Sequence, residues 1–447
     1  MNPRICFYFQ VHQPYRLRDL RITEIGKGKH PHYFDEEKNC AIFRKVSEKC
    51  YLPANELMLS LLKQYPWFSV AYSLSGVFLD QCEEYGPDVL DSFRALAETG
   101  RVEFLAETYY HSLSSLKDTA EFCDQVGKHV KKIKKLFGVT PSVFRNTELI
   151  YSNELAQTVR LMGFQGILAE GADHLLAGRS PNTPFQPPQF RLERKKEQII
   201  SRHRPLAKRS QDITVLLKNY RLSDDVAFRF SDKSWVGFPL KAETFSDWLI
   251  GGGGHNVNLF MDYETFGEHQ WADTGIFSFL RALPGIWQER GIRTSTPSEV
   301  IKDWNASTTP AFDAHMPISW ADTERDLSAW LGNEIQNSAL QSIFDLKSLV
   351  MGTKDEELIE SWRRLQTSDH FYYMCTKFWN DGDVHKYFSP YDSPYEAYRR
   401  YSHAVCDLKG RAEKMSVANC SKRVKQQTAG RSFDVAQDRR PALKNGK

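Results

Sequence analysis

The chain has 447 residues, 41% hydrophobic and 13% aromatic, with 59 Lys and Arg against 56 Asp and Glu for a net charge of +3. That length suits one large domain with an appendage, and the charge is unevenly spread. Residues 183–210 hold eight Lys/Arg against two Glu and residues 416–447 hold eight against two Asp, so each segment is +6 and the body is left near −9. An acidic body excludes a nucleic-acid groove, because binding phosphates needs a basic face.

No run approaches the roughly 20 apolar residues of a membrane span. The opening Met1-Asn2-Pro3-Arg4 leads directly into a strand with no apolar leader. The eight cysteines form no CxxC pair, which argues against a zinc knuckle, and their scatter suits a reducing cytoplasm.

Seven strand-like runs precede residue 265: Ile5–Val11, Phe68–Leu74, Val102–Ala106, Val143–Thr147, Gly166–Ala169, Ile213–Leu217 and Val257–Met261. Helical periodicity fills the gaps at Leu52–Gln64, Asp88–Thr99, Thr119–Phe137 and Asn153–Met162. Gly100, Gly138 and Gly163 stand just past three of these helices, as stop signals should. Alternating strands and helices predict a parallel sheet with crossover helices. Seven such strands predict a closed or nearly closed barrel over residues 1–310.

Residues 183–210, Pro-rich and then basic, read as an inserted surface loop. From about residue 311 to 415 the pattern turns helical, with helices expected over Leu327–Met351, Glu356–Ser368 and Pro394–Met415. The segment 416–447 is polar and basic and is expected to be disordered.

The chemistry concentrates where strands end. Met261-Asp262-Tyr263-Glu264 follows the apolar run Val257–Phe260, and period-2 geometry puts Asp262 and Glu264 on one side. Phe144-Arg145-Asn146-Thr147-Glu148 repeats the pattern of strand and then carboxylate, although Glu148 alone also suits a helix cap or a surface position. Carboxylates at the carboxyl ends of buried strands belong to the sites that barrels build. Two of them on separate strands are the minimum equipment for retaining glycoside hydrolysis.

His12, in Phe9-Gln10-Val11-His12-Gln13-Pro14, suits either a substrate hydroxyl or a structural role. Glu103 and Glu107 share one face of the third strand, and at least one should meet a polar pocket because a lone buried carboxylate is costly. Tyr109, Tyr110 and His111 follow and are candidates for contact with a sugar. Trp320-Ala321-Asp322 and Trp330 set indoles beside carboxylates, which suits pyranose binding or, alternatively, a helix cap and a core tryptophan. His30 and His32 lack the neighbours of a metal site, and no metal or cofactor is expected.

Taken in order, five short segments resemble glycoside hydrolase family 57, the α-amylase and 4-α-glucanotransferase family. They are His12-Gln13-Pro14, Gly100-Arg101-Val102-Glu103, the segment ending at Glu148, the segment opening at Asp262, and Trp320 to Asn333. The wording Phe144-Arg145-Asn146-Thr147-Glu148-Leu149 and Trp320-Ala321-Asp322 is most similar to α-amylase-type members.

The resemblance implies a seven-stranded (β/α) barrel, an incomplete TIM-like barrel, followed by a C-terminal helical domain. It implies a retaining mechanism with Glu148 as nucleophile and Asp262 as general acid/base. His12, Glu103, His111, Glu264, His269, Trp320, Asp322 and Trp330 are the expected substrate contacts. The implied ligand is an α-glucan such as starch, glycogen or a maltooligosaccharide. A 4-α-glucanotransferase, a branching enzyme, a non-catalytic glucan-binding protein and a metal-dependent deacetylase are the alternatives. Departures from the family pattern are Gln10 where many members have a histidine, Arg145 where transferase-type members carry tryptophan, and His269 where those members tend to have tryptophan.

Overall fold

A computed structural model describes residues 2–28, 30–207, 210–304, 309–379 and 387–437, with side chains described as far as residue 417. All seven predicted strands are present, and every pairing among them is parallel: β1 Arg4–Val11, β2 Val70–Leu74, β3 Val102–Phe104, β4 Val143–Arg145, β5 Gly166–Glu170, β6 Thr214–Lys218 and β7 Asn256–Asp262. A two-residue β8, Arg293–Thr294, pairs with the start of β1 and has no counterpart in the sequence reading.

The strands form two sheets, ordered β3-β2-β1-β7 and β4-β5-β6. Two seams join them. Ala106 N–H donates to Val143 O at 3.0 Å and Arg145 N–H to Ala106 O at 2.8 Å, linking the end of β3 to β4. Asn219 N–H reaches Asn258 O at 2.9 Å and Asn258 Nδ2 reaches Leu217 O at 2.8 Å, linking β6 to β7.

Strand alternation sorts the side chains into two populations. Ile5, Phe7, Phe9 and Val11 of β1 and Val257, Leu259 and Met261 of β7 pack outward with the helices. Phe144, Ile167, Ala169, Val215 and Leu217 do the same for the second sheet. The opposite faces supply Cys6, Tyr8, Ala71, Leu105, Val143, Leu168, Leu216 and Phe260 to one shared core between the sheets. Continuing that inward alternation to the carboxyl ends brings Gln10, Ser73, Glu107, Arg145, Glu170, Lys218 and Asp262 to one rim.

The helix stops behave as expected: Gly138 and Gly163 are left-handed caps of Thr119–Phe137 and Asn153–Met162. The C-terminal helices have their own core, including Trp330, Leu340, Ile343, Trp362, Phe371, Tyr401 and Leu408. The expected helix over 327–351 is three pieces, Ser328–Leu331, Glu334–Asp345 and Lys347–Thr353. The second begins at Asn333, which caps Gln336 N–H in a reciprocal capping box.

Two segments differ from the sequence reading. The insert 183–210 is not a plain loop: Arg194–His203 is a helix, and Leu192 and Ile200 are buried in the second sheet's helix layer. Phe185 also bridges to Val215 of β6. Two apolar anchors suffice to dock a segment whose charges remain in water.

The second difference is the tail. The last helix runs Pro394–Gln437, past the expected end at 415. Lys, Arg, Gln and Ala propagate a helix well once a docked stretch has supplied the nucleus. Residues 438–447 of the expected disordered tail lie outside the described residues.

Candidate active site

Glu148 stands just beyond β4 on a tight turn over Thr147–Leu149, at φ 57° and ψ 27°. This left-handed conformation costs a non-glycine residue about 1 kcal/mol or more. Hydrogen bonds on both flanks hold it, from Leu149 N–H to Asn146 O at 3.0 Å and from Trp320 N–H to Glu148 O at 3.3 Å.

The turn presents the carboxylate to three partners. Trp320 Nε1 donates to Oε2 at 2.8 Å, Ser368 Oγ donates to Oε1 at 3.0 Å, and His111 Nε2 lies 3.4 Å from Oε1. Burial alone would push the Glu148 pKa up, but the His111 hydrogen bond and charge, with Arg145, pull it below the usual carboxylate range.

His111 is cationic because of a second carboxylate. Its Nδ1 lies 2.9 Å from Glu107 Oε2, and both side chains are almost fully buried, at 3% and 0% exposure. Burial disfavours the imidazolium, yet bonds to Glu107 and Glu148 raise its pKa to about 9. Burial likewise opposes the Glu107 charge, and the His111 bond overcomes it, lowering that pKa to about 2.

His12 stacks on His111 with ring centroids 4.1 Å apart. His12 Nδ1 is 2.7 Å from Ser75 Oγ, and Nε2 is 3.0 Å from Asp369 Oδ2. Burial and the neighbouring His111 charge depress its pKa.

Asp262 is the last residue of β7, opposite Gln10 in the register with β1. Its environment works the other way. Burial first, and the Glu148 charge second, raise its pKa to about 6, against the pull of Arg145, Lys218 and His111. Two carboxyls that act on one another electrostatically, and whose surroundings separate their pKa values, divide into an ionised partner and a proton carrier. Such a pair is chemically equipped for acid–base and nucleophilic work.

The expected substrate contacts separate into groups. His111 and Trp320 reach Glu148 directly, and His12 stacks on His111. Glu264 is close to Asp262 electrostatically, but the strand stops at Asp262 and Tyr263–Thr265 is a 3-10 turn, so period-2 geometry does not carry past the strand end. Its carboxyl accepts from Tyr51 Oη, and burial with the Asp262 charge raises its pKa to about 8.

His269 donates its backbone N–H to Glu264 O at 2.9 Å, and its ring lies 5.5 Å from Phe388. Burial holds its pKa down at about 4. Asp322 pairs with Lys377 Nζ at 3.1 Å.

Two expectations are overturned. Glu103 lies early on β3, at the opposite ends of the strands, where it accepts from Ser298 N–H at 2.9 Å; the third-strand carboxylate at the site is Glu107, four residues further along. Trp330 is 1% exposed inside the C-terminal helical core, because its short helix Ser328–Leu331 turns that face toward Tyr372 and neighbours.

Several residues at the site were not among the expected substrate contacts, Gln10 having been noted only as a departure from the family pattern. Gln10 bridges Tyr8, Ser73 and Glu107. Glu170 and Lys218 continue the rim, with Lys218 Nζ 2.9 Å from Asp224 and 3.8 Å from Glu170. Each is the last residue of its strand, so period-2 counting carried to the strand ends would have found them. Ser368 and Asp369, more than 200 residues from Glu148, carry no local signal.

Comparison with known proteins gives the family of the chain. Residues 6–313 match the family model for glycosyl hydrolase family 57. The chain is 41% identical over 414 residues to a Methanocaldococcus jannaschii protein named "Putative alpha-amylase", covering 90% of this chain and 84% of that one. The protein belongs to glycosyl hydrolase family 57.

Solved structures share the fold. A GH57-type branching enzyme from Pyrococcus horikoshii superposes with a TM-score of 0.57 at 18% identity, covering 87% of each chain. The 4-alpha-glucanotransferase of Thermococcus litoralis gives a TM-score of 0.56 at 16% identity, with 83% of this chain covering 56% of that longer one. Among the described residues no helix is long and apolar enough to cross a membrane.

Proposed function

We propose that this protein is a retaining glycosidase of the α-amylase type that cleaves α-1,4-linked glucan through a glycosyl-enzyme. The observation that carries the reading is the opposed pair: Glu148 held ionised by His111, Trp320 and Ser368, and Asp262 held protonated up to about pH 6 by burial and by Glu148 itself. In the first step Glu148 attacks the anomeric carbon, the glycosidic C–O bond breaks, and the Asp262 proton passes to the leaving oxygen. In the second, Asp262 takes a proton from water, the water oxygen attacks the same carbon, and the ester bond to Glu148 breaks.

The two seams between the sheets support closure of the seven strands into an incomplete TIM-like barrel, and the separate core of the C-terminal helices supports a helical domain beside it. On this reading that domain completes the site by lending Ser368 and Asp369 to the barrel rim. The α-glucan substrate is supported by the names of the relatives. Buried free thiols at Cys6, Cys50, Cys82 and Cys123 suit a reducing compartment, and we place the protein in the cytoplasm.

The test is product analysis after incubation with a long maltooligosaccharide. Shorter products with retained anomeric configuration are expected. Longer products as well would make the protein a glucanotransferase or branching enzyme. No turnover, or inverted products, would defeat the reading. Glu148→Gln and Asp262→Asn should each lower kcat at least about a thousandfold with the fold intact. Azide should rescue Glu148→Ala as the β-glycosyl azide.

A further inference from the structure

Arg145 fills the last inward position of β4 and is 0% exposed, yet none of its three guanidinium nitrogens has a hydrogen-bond partner among the described residues. The guanidinium lies 4.9 Å from the ring centroid of Trp320, the same indole whose N–H donates to Glu148. A buried cation without hydrogen bonds is costly. A core position that tolerates such a group is filled more cheaply by an apolar side chain, unless the charge is needed.

The surroundings show what that charge faces. On the rim that it shares with them, the Arg145 charge acts on Tyr8 from β1, Glu107 beyond β3, Glu148, and Asp262 from β7. Tyr8 Oη is bonded to Gln10 and Ser73, and Glu107 to Gln10 and His111. Glu148 also faces His111 and Asp369, while Asp262 also faces Lys218, His111 and Glu264. The other cations are already engaged: Lys218 lies 2.9 Å from Asp224, and His111 sits between Glu107 and Glu148. Arg145 faces both reacting carboxyls and is bonded to neither.

Retaining chemistry moves one negative charge. In the free enzyme it is on Glu148. When Glu148 becomes an ester and Asp262 gives its proton to the leaving oxygen, the charge is on Asp262; when Asp262 takes a proton from water and the ester breaks, it returns. We propose that Arg145 is a positioning residue that serves as the shared counter-charge for both carboxyls, hydrogen-bonded to neither, so that its charge serves Glu148 and Asp262 in turn as the negative charge moves between them. The inference rests on the glycosidase reading above and adds a residue to it.

The experiment compares the full-length protein with Arg145→Met and Arg145→Lys. Removing the cation should move both limbs of the pH profile of kcat/KM on a maltooligosaccharide upward by about one pH unit, with Lys restoring most of the position.

A readout independent of turnover is the 13C NMR titration of labelled carboxyl groups, with Glu148 and Asp262 assigned by substitution. Both should titrate at higher pH in Arg145→Met than in the wild type. If neither resonance moves, or if the Met and Lys variants lose activity alike with both limbs in place, the shared-charge role is overturned. If both carboxyls move while the wild-type protein turns over no glucan, the substrate reading fails and the shared-charge role stands.

Discussion

The Glu107–His111 pair gives the sharpest test of how the site is held. Glu107→Gln keeps the shape and the bond to Gln10 but strands the buried imidazolium. The magnitude follows from either partner. His111 rises from 6.5 to about 9 and Glu107 falls from 4.5 to about 2, each equivalent to about 3 kcal/mol. The Glu107–His111 interaction is common to both and is counted once; Glu148 also raises His111, and His129 and Arg145 also lower Glu107, so about 3 kcal/mol is the upper bound for the pair.

The pH window follows from the signs. The raised His111 contributes fully below 6.5 and loses its contribution as pH rises through about 9. The depressed Glu107 contributes fully above 4.5 and loses its contribution as pH falls through about 2. Urea unfolding should therefore show wild type more stable than Glu107→Gln by up to about 3 kcal/mol at pH 5.5, shrinking to a small residue near pH 10. A difference that stays constant from pH 5.5 to 10 would refute the assignment of the stabilisation to the ion pair.

Other outcomes follow from the same geometry. Asp262 must be protonated to act as acid, so kcat/KM should fall as pH rises through about 6, while the acid limb, set by Glu148, should lie below 4.5; a flat profile from pH 5 to 8 would remove Asp262 from the acid role. Trp320→Phe keeps the ring over Arg145 but deletes the N–H on Glu148 Oε2. It should cost about 1.5–3 kcal/mol of transition-state stabilisation, a drop in kcat of about tenfold or more, and raise the acid limb. Glu103→Gln, at the opposite ends of the strands, should leave kcat and KM within about twofold of wild type while lowering the melting temperature; a large kcat loss would put that residue back at the site.

The sequence by itself determined the strands and the two carboxylates at strand ends, Glu148 and Asp262. Apolar runs such as Val257–Phe260 must be buried, whatever surrounds them, and a carboxylate placed where such a run ends is at a strand terminus by local geometry alone. Helix stops at Gly138 and Gly163 were legible for the same reason, since the left-handed cap needs no distant partner. Local pattern failed where the decision was made by packing. It could not tell which of Glu103 and Glu107 lies at the rim, because both share a strand face and only strand direction and length separate them. Nor could it tell that Trp330 is core while Trp320 binds Glu148. The insert's anchors, Leu192 and Ile200, were hidden by the charges around them.

Only the tertiary structure brought Ser368 and Asp369 from the C-terminal helices onto Glu148 and His12. The ionisation of the site was decided there too. Both carboxyls are buried, and burial raises both pKa values; Asp262 stays raised, with Glu148 adding to the effect, while His111 and Arg145 overcome the burial of Glu148 and send it down. Those charges come from separate strands and turns, and their distances exist only after the chain has folded.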